Sequence, residues 1–154
     1  MARSCSIARA LDIVGEKWSL LAVREAFLGS YKFNEIQEKT GAPRDILADR
    51  LRKLASHGVI ERRLYQERPQ RFEYRLTPAG RDLFAAITVL REWGDRHCGV
   101  PPRTFQHKCG AILETQLVCR ACGQEVEARH VRPVETGVAQ SPSESARRRD
   151  AIPR

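Results

Sequence analysis

Apolar residues recur along the first hundred positions at intervals that change from segment to segment. Ile7, Leu11 and Val14 fall at i, i+4 and i+7, and Gly15 stands where a helix would stop. A second helix is expected from about Glu16 to Leu28, with Trp18, Leu20, Leu21 and Phe27 as its apolar set and Gly29 at its end. Both read as core helices. Phe33-Asn34-Glu35-Ile36-Gln37-Glu38-Lys39 makes a short helix, Thr40-Gly41-Ala42 a tight turn, and Pro43 suits the first position of a further helix. That helix turns Leu47, Leu51 and Leu54 inward and leaves Arg44, Asp45, Ala48, Asp49 and Arg52 outward. A short helix, a glycine turn and a longer helix with a polar outer face have helix-turn-helix geometry.

Periodicity then switches from helix to strand. Gly58 ends the helix, and Val59-Ile60-Glu61-Arg62-Arg63-Leu64-Tyr65 is rich in β-branched and aromatic residues. Gln66-Glu67-Arg68-Pro69-Gln70 is a polar turn, and Arg71-Phe72-Glu73-Tyr74-Arg75-Leu76 alternates as a second strand. A hairpin with a basic tip follows. Thr77 caps a helix that begins at Pro78 and carries Leu83, Phe84, Ile87, Leu90 and Trp93 to roughly Arg96. Its apolar stripe is wider than one contact face needs, which implies two partners, its own domain and a second subunit. The predicted fold is mainly α with a small β wing, a winged helix-turn-helix over residues 1–98.

Composition sets the class. The 154 residues carry 27 Lys+Arg against 19 Asp+Glu, a formal charge of +8, and 42% are hydrophobic. No apolar run approaches the roughly 18 residues that span a bilayer. Arg9, Asp12, Glu16 and Lys17 interrupt the N-terminal apolar positions, so a secretion signal is not expected and the cytoplasm is. Residues 1–99 hold 18 basic and 13 acidic groups, so most of the excess lies in the first domain. Such a balance is common on nucleic-acid binders and on proteins that bind nothing charged.

After Pro101-Pro102, read as a stiff joint, comes a cysteine-rich stretch, 103–132. His107-x-Cys109-Gly110, eight residues, then Cys119-x-x-Cys122-Gly123 places four soft or borderline ligands in two turns. Ile112–Val118 and Glu125–Ala128 are expected as strands, giving a zinc-ribbon-like module with a tetrahedral Cys3His structural Zn2+ site. His97, Cys98 and His130 are alternatives for the fourth ligand. Zinc would also explain how about thirty residues with few large apolar groups fold. An enzyme is not expected. Zinc deaminases need a His-x-Glu and Pro-Cys-x-x-Cys, whereas Lys108 and Val118 stand here, and no βαβ unit frames a thioredoxin-like CxxC. Five cysteines, three of them between 109 and 122, suit a reduced compartment and a metal better than a disulfide scaffold. From Pro133 onward Pro, Ser, Gln, Glu and Arg dominate, so 133–154 reads as a disordered basic tail.

A helix in the major groove of DNA presents its first turn to the bases. Arg44 is therefore the first candidate for base readout, by bidentate pairing with guanine, and Asp45 for a cytosine amine. Pro43 and Ala48 share that face. Lys32, Arg52, Lys53, Arg68 and Arg71 read as phosphate contacts, which position without specifying. Between Gly41 and Arg75 stand nine basic and five acidic residues. The plain alternative is an ordinary solvated face. Trp18 reads as core or interface packing, Arg50 as a structural ion pair with Glu61 or Glu73, and His57 and His97 as surface or capping residues. The competing function is a zinc-stabilised winged-helix module that binds protein without specific DNA binding.

Gly15-x-Lys17-Trp18, Phe33-Asn34-Glu35-Ile36, Pro43-x-x-Ile46-Leu47-x-x-Arg50-Leu51 and Tyr74-Arg75-Leu76-Thr77-Pro78-x-Gly80 together resemble the HxlR-type transcriptional regulators, relatives of the MarR group, over about residues 5–94. The resemblance implies a bacterial cytoplasmic homodimer, with first and last helices at the interface, that binds palindromic double-stranded operator DNA; a repressor is expected, with an activator as the alternative. It also implies a small-molecule or redox effector. Some relatives sense electrophiles or oxidants through a cysteine near the first helix, sometimes paired with one near the C-terminal end of the partner subunit. Cys5 stands in the first turn, where the helix dipole, Arg3 and Arg9 favour a reactive thiolate, and Cys98 follows the last helix. The plain alternative is a small buried Cys5 and an incidental Cys98.

Overall fold

The computed structural model describes residues 5–99 and 103–134. Five helices and a two-stranded hairpin follow one another as α1 (Ser6–Val14), α2 (Lys17–Phe27), α3 (Phe33–Thr40), α4 (Arg44–Ser56), β1 (Ile60–Gln66), β2 (Arg71–Leu76) and α5 (Pro78–His97). The order is that expected from the sequence, with one change at α4. Pro43 is its N-cap, with extended ψ of 140°, and the first helical residue is Arg44.

The core is organised on α4. Leu47, Leu51 and Leu54 lie on one face and are fully or almost fully buried, against Val23, Ile36, Val59 and Ile60. The expected face of α2 is corrected. Its buried residues are Ser19, Ala22, Val23, Glu25 and Ala26, while Trp18, Leu20, Leu21 and Phe27 are only half-buried. Small side chains face the neighbouring helices because close-packed backbones leave no room for larger ones. Trp18 packs beside this core, with the Lys17 ammonium 4.4 Å from its ring.

Gly41 ends α3 at φ 70°, a left-handed turn that glycine adopts without a Cβ penalty, and so sets the sharp angle into α4. Thr77 joins the end of α4 to the start of α5. Its hydroxyl donates to the carbonyls of Gly58 (2.5 Å) and Val59 (3.1 Å) and accepts the Gly80 N–H at 3.1 Å. A cap of this kind stabilises a helix start by about 1 kcal/mol.

The strands are antiparallel, with Glu61 opposite Arg75, Arg63 opposite Glu73 and Leu64 opposite Phe72, and the register slips between Leu64 and Gln66. Lys32 adds an isolated bridge to Glu73, and the Tyr74 N–H donates to the Tyr31 carbonyl at 2.7 Å. The loop before α3 is thereby tied to the wing.

Three expectations fail. Helix α1 is not a core helix of this chain, since Val14 alone is buried while Ile7 is 70% and Leu11 53% exposed. Arg50 does not reach Glu61 or Glu73. Its guanidinium meets Glu16 at 2.7 Å, because it leaves α4 on the side facing the start of α2, and the two glutamates are taken by Arg63 and Arg75. The strands expected over 112–118 and 125–128 do not form. Single bridges, Gln106 to Ile112 and Val118 to Glu125, stand in their place, with a short 3-10 turn over Ala128–His130. β-Branched residues alone do not make a strand where no extended partner lies alongside.

The described residues group into two compact units that divide between Thr115 and Gln116. Arg3, the Pro101-Pro102 joint and the tail from 135 lie outside the described residues. Among the described residues no helix is long and apolar enough to cross a membrane.

Candidate nucleic-acid interface

The exposed side of α4 begins at Arg44. Its guanidinium lies 4.9 Å from the centre of the Phe33 ring, and Nη1 is 3.4 Å from Asn34 Oδ1, so α3 holds the side chain that α4 presents. Phe33, Arg44, Asp45, Ala48 and Tyr74 together line a shallow depression among α3, α4 and β2. Pro43, Arg44 and Asp45 are exposed and Ala48 is half-buried, which places the two readout candidates, with Pro43 and Ala48 beside them, at one end and face of α4.

The start of α3 is held from within. Glu35 Oε2 accepts the backbone N–H groups of Tyr31 and Lys32, each at 3.2 Å. The Lys32 amide first, then the Tyr31 amide, hold the Glu35 carboxyl below its usual range against desolvation, and the Lys32 and Lys39 charges add to them. Lys32 thus sits at the α3 N-terminus with its ammonium 5.4 Å from the Tyr65 ring, between α3 and the wing.

One face of the hairpin is internally neutral. Glu61 pairs with Arg63, and Glu73 binds Arg75 through both carboxylate oxygens, at 2.8 and 3.0 Å. The Arg75 hydrogen bond lowers the Glu73 pKa and raises that of Arg75, each against a desolvation effect of opposite sign. Arg63 and Arg75 are therefore poor phosphate ligands. Among the described residues Lys53, Arg68 and Arg71 carry no ion pair; Arg68 lies in the hairpin turn and Arg71 opens β2. Arg52 is paired with Asp49 at 3.0 Å and well exposed, an arrangement worth little in water and readily exchanged for a phosphate.

Sequence reasoning missed Arg62. It is exposed, unpaired among the described residues and stacked 3.3 Å from the Phe72 ring centre, so the wing has a rigid cation on its second face. Strict alternation along β1 could have found it, since Arg62 and Arg63 must point to opposite faces. His57 behaves as a cap, with Nδ1 2.9 Å from the Lys53 carbonyl, and His97 stacks on Trp93 at 5.1 Å.

Cys5 is the exposed N-cap of α1 and Cys98 the exposed C-cap of α5, and both are free thiols. His107 Nδ1 lies 3.2 Å from Cys109 Sγ. In the second unit, the backbone N–H groups of Cys122 and Ala121 and the Cys122 thiol face the Cys119 sulfur and lower its pKa. His130 Nδ1 lies 3.9 Å from a Glu127 carboxylate oxygen. Among the described residues no group of three or more His, Cys, Asp or Glu side chains forms a ready metal cluster.

A helix pair joined by a left-handed glycine, followed at once by a two-stranded hairpin and a long capped helix, defines the winged helix-turn-helix class of DNA-binding domains. The HxlR-like helix-turn-helix family model matches residues 13–101, and the chain belongs to that family of transcriptional regulators. It is 47% identical over 132 residues to the uncharacterized HTH-type transcriptional regulator Rv3095 of Mycobacterium tuberculosis, covering 83% of this chain and 84% of that one. Among solved structures it is similar to PA1607, a transcription factor by its description, at 34% identity and TM-score 0.75, with 88% of this chain and 97% of that chain covered. The redox regulator HypR, in its oxidized form, aligns at 30% identity and TM-score 0.57 over 62% of this chain and all of its own.

Proposed function

We propose that this chain is a cytoplasmic, sequence-specific repressor that acts as a homodimer on a palindromic operator. The observation that carries the reading is the arrangement of Arg44, braced by Phe33 and Asn34 at the exposed start of α4, beside a wing whose Arg68 and Arg71 are uncompensated. In this reading Arg44 and Asp45 meet base edges, with Pro43 and Ala48 beside them, while Lys32, Arg52, Lys53, Arg62, Arg68 and Arg71 meet phosphates. The dimer rests on the outward apolar stripes of α1 and α5, where Ile7, Leu11, Phe84, Leu90 and Trp93 are all at least half exposed.

Half-sites are then expected about 34 Å apart along the duplex. Arg44→Ala removes about 1–3 kcal/mol of discrimination at one base pair per half-site. Arg71→Ala weakens all sequences about equally and lowers the salt slope by about one unit for each phosphate it contacts. Electrophoretic shifts of a promoter fragment at several salt concentrations measure both. A chain that shifts no fragment, or whose binding ignores both substitutions and salt, is instead a protein-docking module.

The effector reading is a thiol switch. HypR is a redox regulator, and Cys5 and Cys98 are exposed at the ends of the two helices assigned to the dimer interface. Diamide would take two electrons and two protons from the two thiols, joining Cys5 of one subunit to Cys98 of the other, and would itself become the hydrazine. Treatment should change operator affinity at least tenfold in the wild type and not in Cys5→Ser. Unchanged wild-type affinity with Cys5 demonstrably modified sinks the switch.

A further inference from the structure

A cavity of about 530 Å³ lies within the first compact unit, between the end of α2, the hairpin and the start of α5. Its volume is in the range of small-molecule sites. Side chains alternate along a strand, so Glu61, Arg63, Glu73 and Arg75 share one face of the hairpin and Arg62 and Tyr74 the other. The cavity opens on the first face, whereas Tyr74 lines the depression beside Arg44. A ligand in it would therefore leave the readout surface of α4 free.

Part of the lining is apolar and part is charged. Ala26 is buried, Phe27, Tyr31 and Leu76 are half-buried, and Pro78 adds its ring from the side of α5. Of the cations, Arg63 is held by Glu61, and Arg75 by both oxygens of Glu73, with its guanidinium stacked 3.5 Å from the Tyr31 ring centre. Arg81 differs. Among the described residues it has no carboxylate partner, and its Nη1 donates to the Leu76 carbonyl at 2.8 Å. A guanidinium carries about five N–H donors, so most of the Arg81 fork is left for a ligand.

Charge and surface together select the class. Three lining guanidiniums meet two carboxylates, Glu61 and Glu73, which leaves one positive charge, at Arg81. One anionic group balances it. An inorganic ion would leave the apolar lining in contact with water, whereas a ring laid along Phe27, Leu76 and Pro78 would cover it.

We propose that this cavity binds an aromatic monocarboxylate, with its carboxylate on Arg81 and its ring against Phe27, Leu76 and Pro78, and that occupancy changes operator affinity. The second clause rests on the DNA-binding reading; the first does not. β1 and β2 form the wing, while Pro78 and Arg81 belong to the first turn of α5, and Thr77 joins the two through the carbonyls of Gly58 and Val59. A ligand that spans them favours one angle between wing and α5, and its affinity differs between the free and the DNA-bound chain wherever that angle differs. By linkage, operator and ligand then change each other's affinity by the same factor.

Calorimetric titration of the full chain with cinnamate should give a dissociation constant of about 1 mM or below, as expected for a ligand of its size. Cinnamamide lacks the charge and acetate lacks the ring, and each should bind about tenfold more weakly or worse. Arg81→Gln should lose about tenfold for cinnamate, while Arg96→Gln, on the same helix but outside the cavity, keeps wild-type affinity. Glu61→Gln frees Arg63 and should tighten binding about threefold, a gain that a damaged fold does not give. Cinnamate that does not bind, that binds no better than cinnamamide or acetate, or that binds Arg81→Gln as well as wild type overturns the site. For the coupling, saturating cinnamate should move the midpoint of an electrophoretic operator titration by about threefold or more in the wild type and not in Arg81→Gln. An unmoved midpoint with cinnamate bound overturns the coupling and leaves the site standing. A chain that shifts no promoter fragment overturns the DNA-binding reading, and the calorimetry still decides the site.

Discussion

Leu47→Ala is expected to lower the unfolding free energy by about 3–4 kcal/mol, measured by urea denaturation. The side chain has no exposed surface and belongs to the core that α4 shares with Ile36 of α3 and Val23 of α2. Truncation removes its transfer energy and leaves a cavity that surrounding helices fill only in part. For a chain of this length the melting temperature should fall by roughly 10 °C. The consequence is functional as well, because Leu47 stands two residues from Asp45 and three from Arg44 and fixes the face that α4 turns outward. A loss below about 1 kcal/mol would mean that α4 is not the pillar of the fold.

Gly80→Ala should cost about 3 kcal/mol, at the upper end of the usual cost of overpacking. A Cβ there would overlap the Val59 carbonyl oxygen, and Leu76 Cδ2 would stand 3.1 Å away. Neither neighbour yields cheaply. The Val59 carbonyl accepts the Thr77 N–H at 3.2 Å as well as the Thr77 hydroxyl, so moving it disrupts the joint between the wing and α5. The φ of Gly80 is helical, so the penalty is steric and not conformational. Gly94→Ala, in the same helix with open space at its Cβ, is the control and should be neutral or slightly stabilising. Equal melting temperatures for the two variants would refute the close approach.

Much of this was legible because it is local. The stripe Leu47, Leu51, Leu54 needs only helical periodicity, and Thr77-Pro78 needs only capping chemistry, so both were read correctly from neighbours in the chain. The bounds of β2 and the glycine turn at Gly41 were legible for the same reason. Arg44 as an exposed residue followed from the inward leucines. What braces it did not follow, since Phe33 and Asn34 come from the preceding helix and their approach depends on the angle between the two.

Where the structure departs from the sequence pattern, a residue's partner is chosen by the fold. Arg50 takes Glu16 across the α2–α4 contact, although Glu61 and Glu73 were plausible partners, because those carboxylates meet arginines on their own hairpin face. Ser19 and Ala22, unremarkable in sequence, are core because α2 packs closely, while the larger Leu20 and Leu21 lie at its margin. Ile112 to Val118 has strand composition but no strand partner, and remains irregular. The succession of helices and strands, the capping points and the polar outer face of α4 are legible along the chain, because all of them depend on interactions within a few residues. The tertiary structure alone decided which face of α2 is core, which arginines are neutralised and which stay available to phosphate, and that the stripe of α1 points outward, because these depend on distances between segments that periodicity does not encode.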